Sequence, residues 1–292
     1  MTQLKCILGA TDLSAPARRA MARAALISKE TASKLELFHV ANVAPLQLLR
    51  HLAAATPADM EQRVLDAAQQ RLRDLATALE QHYGVSISAH VANGSLLAEL
   101  AKKADAVAAG LLVCGSKGES VIRHTLLGST ATRLLSISKC PVLVVKQAAH
   151  EPYRKLLVPV DFSPSSLRAI RHAQSIAPGA EIVLLHAFDV PFEGFLRYAN
   201  VDGDAITHYR SVAEQEATQK ICALSAEAGL SPYASTTLVL HGDSRLRIIE
   251  QEQELDCDLI VMGKHGKSVF EELLLGSVTK HVLAESESDI LV

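Results

Sequence analysis

The sequence predicts an α/β protein made of two tandem Rossmann-like domains, each a parallel sheet with helices on both faces. Three observations predict it. The second half of the chain repeats the first at a steady offset. Short apolar runs alternate with helical segments within each half. Those runs read as strands buried on both faces, the mark of a parallel sheet. The length of 292 residues suits two domains of roughly 150 residues each.

The repeat is read directly. Ile7-Leu-Gly-Ala-Thr-Asp12-Leu-Ser14 returns as Leu157-Val-Pro-Val-Asp161-Phe-Ser163, and Leu37-Phe-His39-Val40 returns as Leu184-Leu-His186-Ala187. Gly94 returns as Gly242, Gly115 as Gly263, and Gly128-Ser129 as Gly276-Ser277, every offset lying between 147 and 149 residues. The domains are expected at 1–147 and 153–292, joined by a polar linker at 148–152 that ends in Pro152.

In the first half, residues 4–10 are a short apolar run, hence a strand. Ser14-Ala-Pro16 opens a helix that runs through at least Ala25, with Ser as cap and Pro near the start. Ser163-Pro164 repeats that signal in the second half. Leu35–Val40 is a second strand. Ala58–His82 carries apolar residues at helical spacing and is rich in Gln, Arg, Glu and Ala. Ser86–Val91 is a third strand, Leu96–Lys103 a helix, and Leu111–Cys114 a fully apolar fourth strand. Thr130–Ser138 is helical and Pro141–Val145 is the fifth strand. The second half ends Ser288-Asp289-Ile-Leu-Val292 without the Cys-Pro of the first, which predicts a short last strand of uncertain pairing.

Composition narrows the function classes. Trp is absent and aromatics are 4% of residues, so the cores are aliphatic. A formal charge of −3 carries no footprint for nucleic acid or an acidic membrane. The five cysteines are scattered with no CxxC pair, as expected of reduced thiols in a cytosol. The N-terminal residues show no signal-peptide apolar region, and the longest apolar stretch, Ala106 to Gly115, is too short to span a bilayer. A cytoplasmic protein is expected.

The chemistry concentrates after the fourth strand. Gly115-x2-Gly118-x9-Gly128-Ser129 recurs as Gly263-x2-Gly266-x9-Gly276-Ser277. Glycines just past a strand let the backbone turn with positive φ and approach a ligand. Their amides can then bind anionic oxygen. The later Gly-Ser opens a helix, whose first amides and dipole favour phosphate, so Thr130 and Val278 join the candidate set. Asp12 and Asp161 end the first strand of each half. Ligands of open parallel sheets bind beyond strand C-termini where strand order reverses. A carboxylate there can accept from ribose hydroxyls or an adenine amino group, or simply serve the following helix.

These features resemble the universal stress protein family over nearly the whole chain. The matching residues are Ala10-Thr-Asp12-Leu-Ser, Pro159-Val-Asp161-Phe-Ser, His39 and His186, both glycine stretches, and Cys140-Pro-Val-Leu-Val-Val145. The resemblance implies the fold of the adenine nucleotide alpha hydrolase-like group: five parallel strands in order 3-2-1-4-5. It also implies the family's ATP-binding branch, in which the glycine motif holds phosphates and the Asp holds the adenosine end. Backbone just after the second strand, here Val40 and Ala187, then reads adenine. The expected cofactor is ATP, with or without Mg2+. The basic loop Gly263-Lys-His-Gly-Lys-Ser268 suits triphosphate better than Gly115-Ser-Lys-Gly-Glu-Ser120.

Other patterns fall away. Gly263-Lys-His-Gly-Lys-Ser268 has two residues between its glycines where a Walker A loop has four. There is no GxGxxG fingerprint, no Ser-Gly-Gly-x-Asp loop, and no HxxxH or Cys-His cluster with metal-ligand spacing. No acid–base pair stands out, so catalytic and metal residues are not assigned. The leading expectation is a stress-response regulator that binds adenine nucleotide in one or both repeats. The alternatives are a slow ATPase or autophosphorylating enzyme, and a nucleotide-free scaffold. The apolar strands at Val142–Val145 and Ile290–Val292 are sheet edges that invite pairing, predicting an intramolecular pseudo-dimer. The sequence is also compatible with a further homodimer.

Overall fold

The structure is a computed structural model describing residues 4–42, 57–116, 128–190, 198–199, 202–231, 235–264 and 275–292. The chain divides into two compact units, Thr2–Pro152 and Tyr153–Val292.

The first unit contains β1 (Cys6–Ala10), α1 (Ala15–Thr31), β2 (Lys34–Ala41), α2 (Pro57–Tyr83), β3 (Ile87–Asn93), α3 (Leu96–Ala106), β4 (Leu111–Gly115), α4 (Ser129–Ile137) and β5 (Val142–Val145). Its strands pair in the order β3-β2-β1-β4-β5, all parallel. The second unit contains β6 (Lys155–Pro159), α5 (Pro164–Ile176), β7 (Glu181–Phe188), α6 (Gly203–Glu227), β8 (Ser235–His241), α7 (Ser244–Glu254), β9 (Leu259–Val261), α8 (Ser277–Glu285) and β10 (Asp289–Leu291). Its order is β8-β7-β6-β9-β10, again parallel. Each unit therefore has the 3-2-1-4-5 topology. Among the described residues no helix is long and apolar enough to cross a membrane.

The burial pattern explains why these runs are central strands. Successive strand residues point to opposite faces. Leu111–Cys114, Val142–Val145 and Leu156–Val158 are buried without a break, so both faces of the sheet are covered. The outer strands β3 and β8 are only partly buried. Helix α1 buries Ala17, Ala20, Met21 and Ala24 at helical spacing. It continues past Ala25 because Leu26, Ile27 and Ser28 are also buried, and it stops where Ala32 takes φ 51°.

The last strand forms despite its missing Cys-Pro. Asp289, Ile290 and Leu291 pair with Leu259, Ile260 and Val261. Asp289 is fully buried and its Oδ2 accepts from the Tyr153 hydroxyl at 2.6 Å. That bond seats a carboxylate where the first unit has Pro141.

Candidate functional site

The site is built at the C-terminal ends of the first two strands of each unit. In the second unit β6 stops at Pro159, and the Val160 amide donates to Leu185 O at 2.8 Å. The chain then turns sharply. Asp161 Oδ1 accepts from the Ser163 amide at 3.0 Å and from Ser166 Oγ at 2.7 Å. Phe162 adopts φ 61°, a left-handed conformation that a bulky residue holds only when its surroundings enforce it. Its ring lies against His186 with centroids 4.3 Å apart. His186 Nδ1 is 2.8 Å from Val160 O. A carbonyl only accepts, so Nδ1 carries the proton and Nε2 is the acceptor of the neutral ring.

The first unit repeats this turn. Asp12 Oδ1 accepts from the Ser14 amide at 3.0 Å, Leu13 has φ 65°, and His39 Nδ1 is 2.8 Å from Thr11 O. The two histidines thus tie the second strand to the turn that carries the aspartate.

Val40 and Ala187 lie inside strands rather than after them. Val40 pairs with Ala92 in β2 and Ala187 with Leu240 in β7, because pairing with β3 and β8 carries these strands beyond the ends of β1 and β6. The overhang still borders the crevice at the switch point, where Ala187 lines a cleft.

That cleft, about 320 Å3, lies wholly within the second unit, near the lower limit of small-ligand pockets. It gathers Asp161 and Ser163 from the turn, His186 and Ala187 from β7, Gly263 from the end of β9, and Gly276, Ser277 and Val278 at the start of α8. Ser166, Ser244 and Thr279 also line it. These three, like Ser163 and Ser165, were not foreseen as site residues, since isolated hydroxyls at helix starts carry no signal of their own. At the rim, Asp243 caps α7. Hydrogen bonds from Arg245 hold its carboxyl down at about 2.

Two expectations need correction. Gly115 does not turn with positive φ. It is the last residue of β4 and pairs with Val145, so it belongs to the sheet. The amides of Gly128 and Gly276 do not face a ligand either. They donate to Ser116 O at 2.7 Å and Lys264 O at 3.1 Å, closing the neck of each loop. What remains for an anion is the first turn of α4, with Ser129 and Thr130, and of α8, with Ser277 and Val278. Gly118 and Gly266 lie outside the described residues.

Two features of the cleft are not accounted for by bonds among the described residues. The first is Gly276, the N-cap of α8, which has φ −59° and no side-chain cap. A Cβ there would stand 3.6 Å from Lys264 O and 3.8 Å from Thr279 Oγ1, ordinary contacts. Among the described residues, neither conformation nor internal space demands a glycine. The second is Ser163, which is 8% exposed. Its Oγ is buried with no partner among the described residues, and it does not cap α5. An unpaired buried hydroxyl is costly unless something beyond the described residues satisfies it. Among the described residues no group of three or more His, Cys, Asp or Glu is placed to hold a metal ion.

Comparison with known proteins agrees with this architecture. Residues 4–146 and 152–292 each match the model of the universal stress protein family. A universal stress protein of Mycolicibacterium smegmatis is 27% identical over 242 residues, 80% of this chain and 77% of that one. One from Methanocaldococcus jannaschii is 34% identical over 143 residues, 48% of this chain and 81% of the relative. The crystal structure of a universal stress protein from Archaeoglobus fulgidus has a TM-score of 0.71 over 99% of this chain and 98% of that one, at 21% identity, a likeness of fold.

Proposed function

The chain belongs to the universal stress protein family through both of its halves, and from that premise we propose that it binds adenine nucleotide, with ATP as the physiological ligand. The observation that carries the proposal is the second-unit cleft. It combines the Asp161 turn, the β7 overhang, a helix N-terminus capped by a glycine the fold does not need, and the orphaned Ser163 hydroxyl. Asp161 and Ser163 are assigned to the adenosine end, with Ala187 backbone beside adenine. The first-turn amides of α8 are assigned to phosphate, which the helix dipole favours. Among the described residues no carboxylate cluster is placed to hold Mg2+, so the metal is proposed to arrive on the phosphates. The equivalent first-unit residues are Asp12, Val40, Gly115, Gly128, Ser129 and Thr130, and they form the second proposed site.

The protein is proposed to act in the cytoplasm as a regulator whose nucleotide state sets conformation or partner choice. Nucleotide extracted from the purified full chain and identified by chromatography tests the ligand. Calorimetry with ATP, ADP and GTP, with and without Mg2+, ranks it. Protein that arrives empty and then takes up no adenine nucleotide would end this reading. The sequence of β5 and β10 supports a separate proposal, an intramolecular pseudo-dimer through Val142–Val145 and Ile290–Val292. Cysteines introduced at Val144 and Leu291 should then cross-link within one chain under mild oxidation.

A further inference from the structure

Each unit also has an opposite pole, where α3 and α4 (or α7 and α8) end and the fourth and fifth strands begin. There the halves differ. In the second unit Glu252 of α7 is 3% exposed. Its Oε1 accepts from Ser286 Oγ at 2.8 Å, the Glu287 amide at 3.0 Å and the Ser288 amide at 2.7 Å. One carboxylate oxygen thus gathers three donors of the turn between α8 and β10, where the Ser288 amide also meets Ser286 Oγ at 3.1 Å.

At the repeat offset of 148 residues, Ala104 stands where Glu252 stands, and Ser138, Lys139 and Cys140 stand for Ser286, Glu287 and Ser288. The donors remain and the acceptor is gone. In its place is a cleft of about 280 Å3, walled by Leu100, Ala104, Leu112 and Leu134. Among the described residues the Lys139 amide meets no acceptor. Among the described residues the Cys140 amide donates to no backbone acceptor either. Ser138 Oγ has turned to Cys140 O at 2.7 Å. Lys139 and Asp105 both line the cleft, their exposed side chains paired with Nζ 3.5 Å from Oδ2.

We propose that this first-unit hollow binds a short-chain aliphatic monocarboxylate, whose carboxylate takes the place that Glu252 fills in the second unit. The carboxylate accepts from the Lys139 and Cys140 amides, and from Ser138 once its hydroxyl swings away from Cys140 O. The Lys139 ammonium adds charge complementarity. The short tail lies on Leu100, Ala104 and Leu134, as the methylenes of a glutamate would. The cleft has ample room for a molecule of propionate or butyrate size, whose tail is about as long as the glutamate side chain it stands in for. The inference is independent of the nucleotide reading, since it concerns the other end of the sheet.

The test is a titration of the full chain with sodium butyrate, followed by the amide NMR signals of Lys139 and Cys140. Butyramide and sodium chloride are the controls. Saturable shifts with butyrate are expected, with at least tenfold weaker response to butyramide. Ala104→Glu supplies the carboxylate from within. It should abolish the butyrate response and raise the melting midpoint by about 2–4 °C. Glu252→Ala should open the matching hollow in the second unit and lower the midpoint, with butyrate restoring part of the loss and butyramide none. Overturning results are non-saturating shifts, equal responses to the controls, or an Ala104→Glu protein that melts lower or still binds butyrate. If Glu252→Ala does not fold, the wild-type titration and Ala104→Glu decide the matter alone.

Discussion

Ser14 and Ser163 occupy the same step of the same turn and do different work. Ser14 Oγ accepts from the Ala17 amide and caps α1. Ser163 makes no such bond, because Ser166, which replaces Ala17, has taken over the turn. Its hydroxyl donates to Asp161 Oδ1 and accepts from the Asp161 amide at 3.0 Å. The same exchange recurs twice. Ala131 becomes Thr279, whose Oγ donates to Gly263 O at 3.1 Å. Ala104 becomes Glu252, with its three donors. Ser166, Thr279 and Glu252 are each 3% exposed. At three alanine positions of the first unit, the second unit buries a polar group and bonds it internally, although Glu252 Oε2 is left without a partner among the described residues. A buried, paired polar group adds little net stability, yet its removal strands its partners. The second unit is therefore tied by side-chain bonds that the first unit never had, and the first keeps space instead.

That contrast can be broken by mutation. The largest effect is expected from Glu252→Ala. It leaves the Glu287 amide without its acceptor, and leaves the Ser288 amide and Ser286 Oγ with only their longer bonds to Ser286 Oγ and Ser288 O, at 3.1 and 3.4 Å, at about 1–3 kcal/mol for each group that water does not reach. A loss of about 3 kcal/mol in urea unfolding is expected; a loss below about 1 kcal/mol would show that the carboxylate is not what holds the turn. Next is Gly276→Asp. An aspartate caps a helix at least as well as glycine, so the midpoint should stay level or rise slightly. Nucleotide affinity should fall at least tenfold, or about 1.4 kcal/mol, by calorimetry. Joint loss of fold and binding would assign Gly276 a structural role.

Smaller effects sharpen the comparison. Ser14→Ala should cost about 0.5–1 kcal/mol as a lost cap. Ser163→Ala should leave stability within about 0.5 kcal/mol, since its hydroxyl has no partner among the described residues, while weakening nucleotide binding. Equal destabilisation by the two would erase the distinction. The smallest effect is read by thiol labelling. Burial pushes the thiols of Cys114 in the first unit and Cys257 in the second up to about 12, so both are protected while folded. Exposed Cys222 should react first. As urea rises, Cys114 should become reactive before Cys257, because the second unit carries the extra internal bonds.

Several features were legible because they are local. Unbroken apolar runs, helical spacing and Ser-Pro starts reside in neighbouring residues, so strands and helices were placed with small errors at their ends. Those errors have tertiary causes. Strands β2 and β7 outrun the first strands because β3 and β8 pair with them. Asp12, Asp161 and the glycines of both loops stood out because duplication repeats them in register.

What the chain alone determined is the doubled α/β architecture and the residue types gathered at its switch points, since hydrophobic period and repeat offset are properties of sequence order. What only the tertiary structure decided is which polar groups find partners. Glu252, in the run Gln251-Glu252-Gln253-Glu254, looks like part of a solvated helix face. It is buried because a turn some thirty-five residues later presents three donors to it. Ser163 looks like an ordinary cap, yet its hydroxyl has no partner among the described residues, where Ser166 bonds the Asp161 turn instead. Hydrogen-bond satisfaction is settled between distant segments, so the sequence names the groups while the packing chooses the pairs.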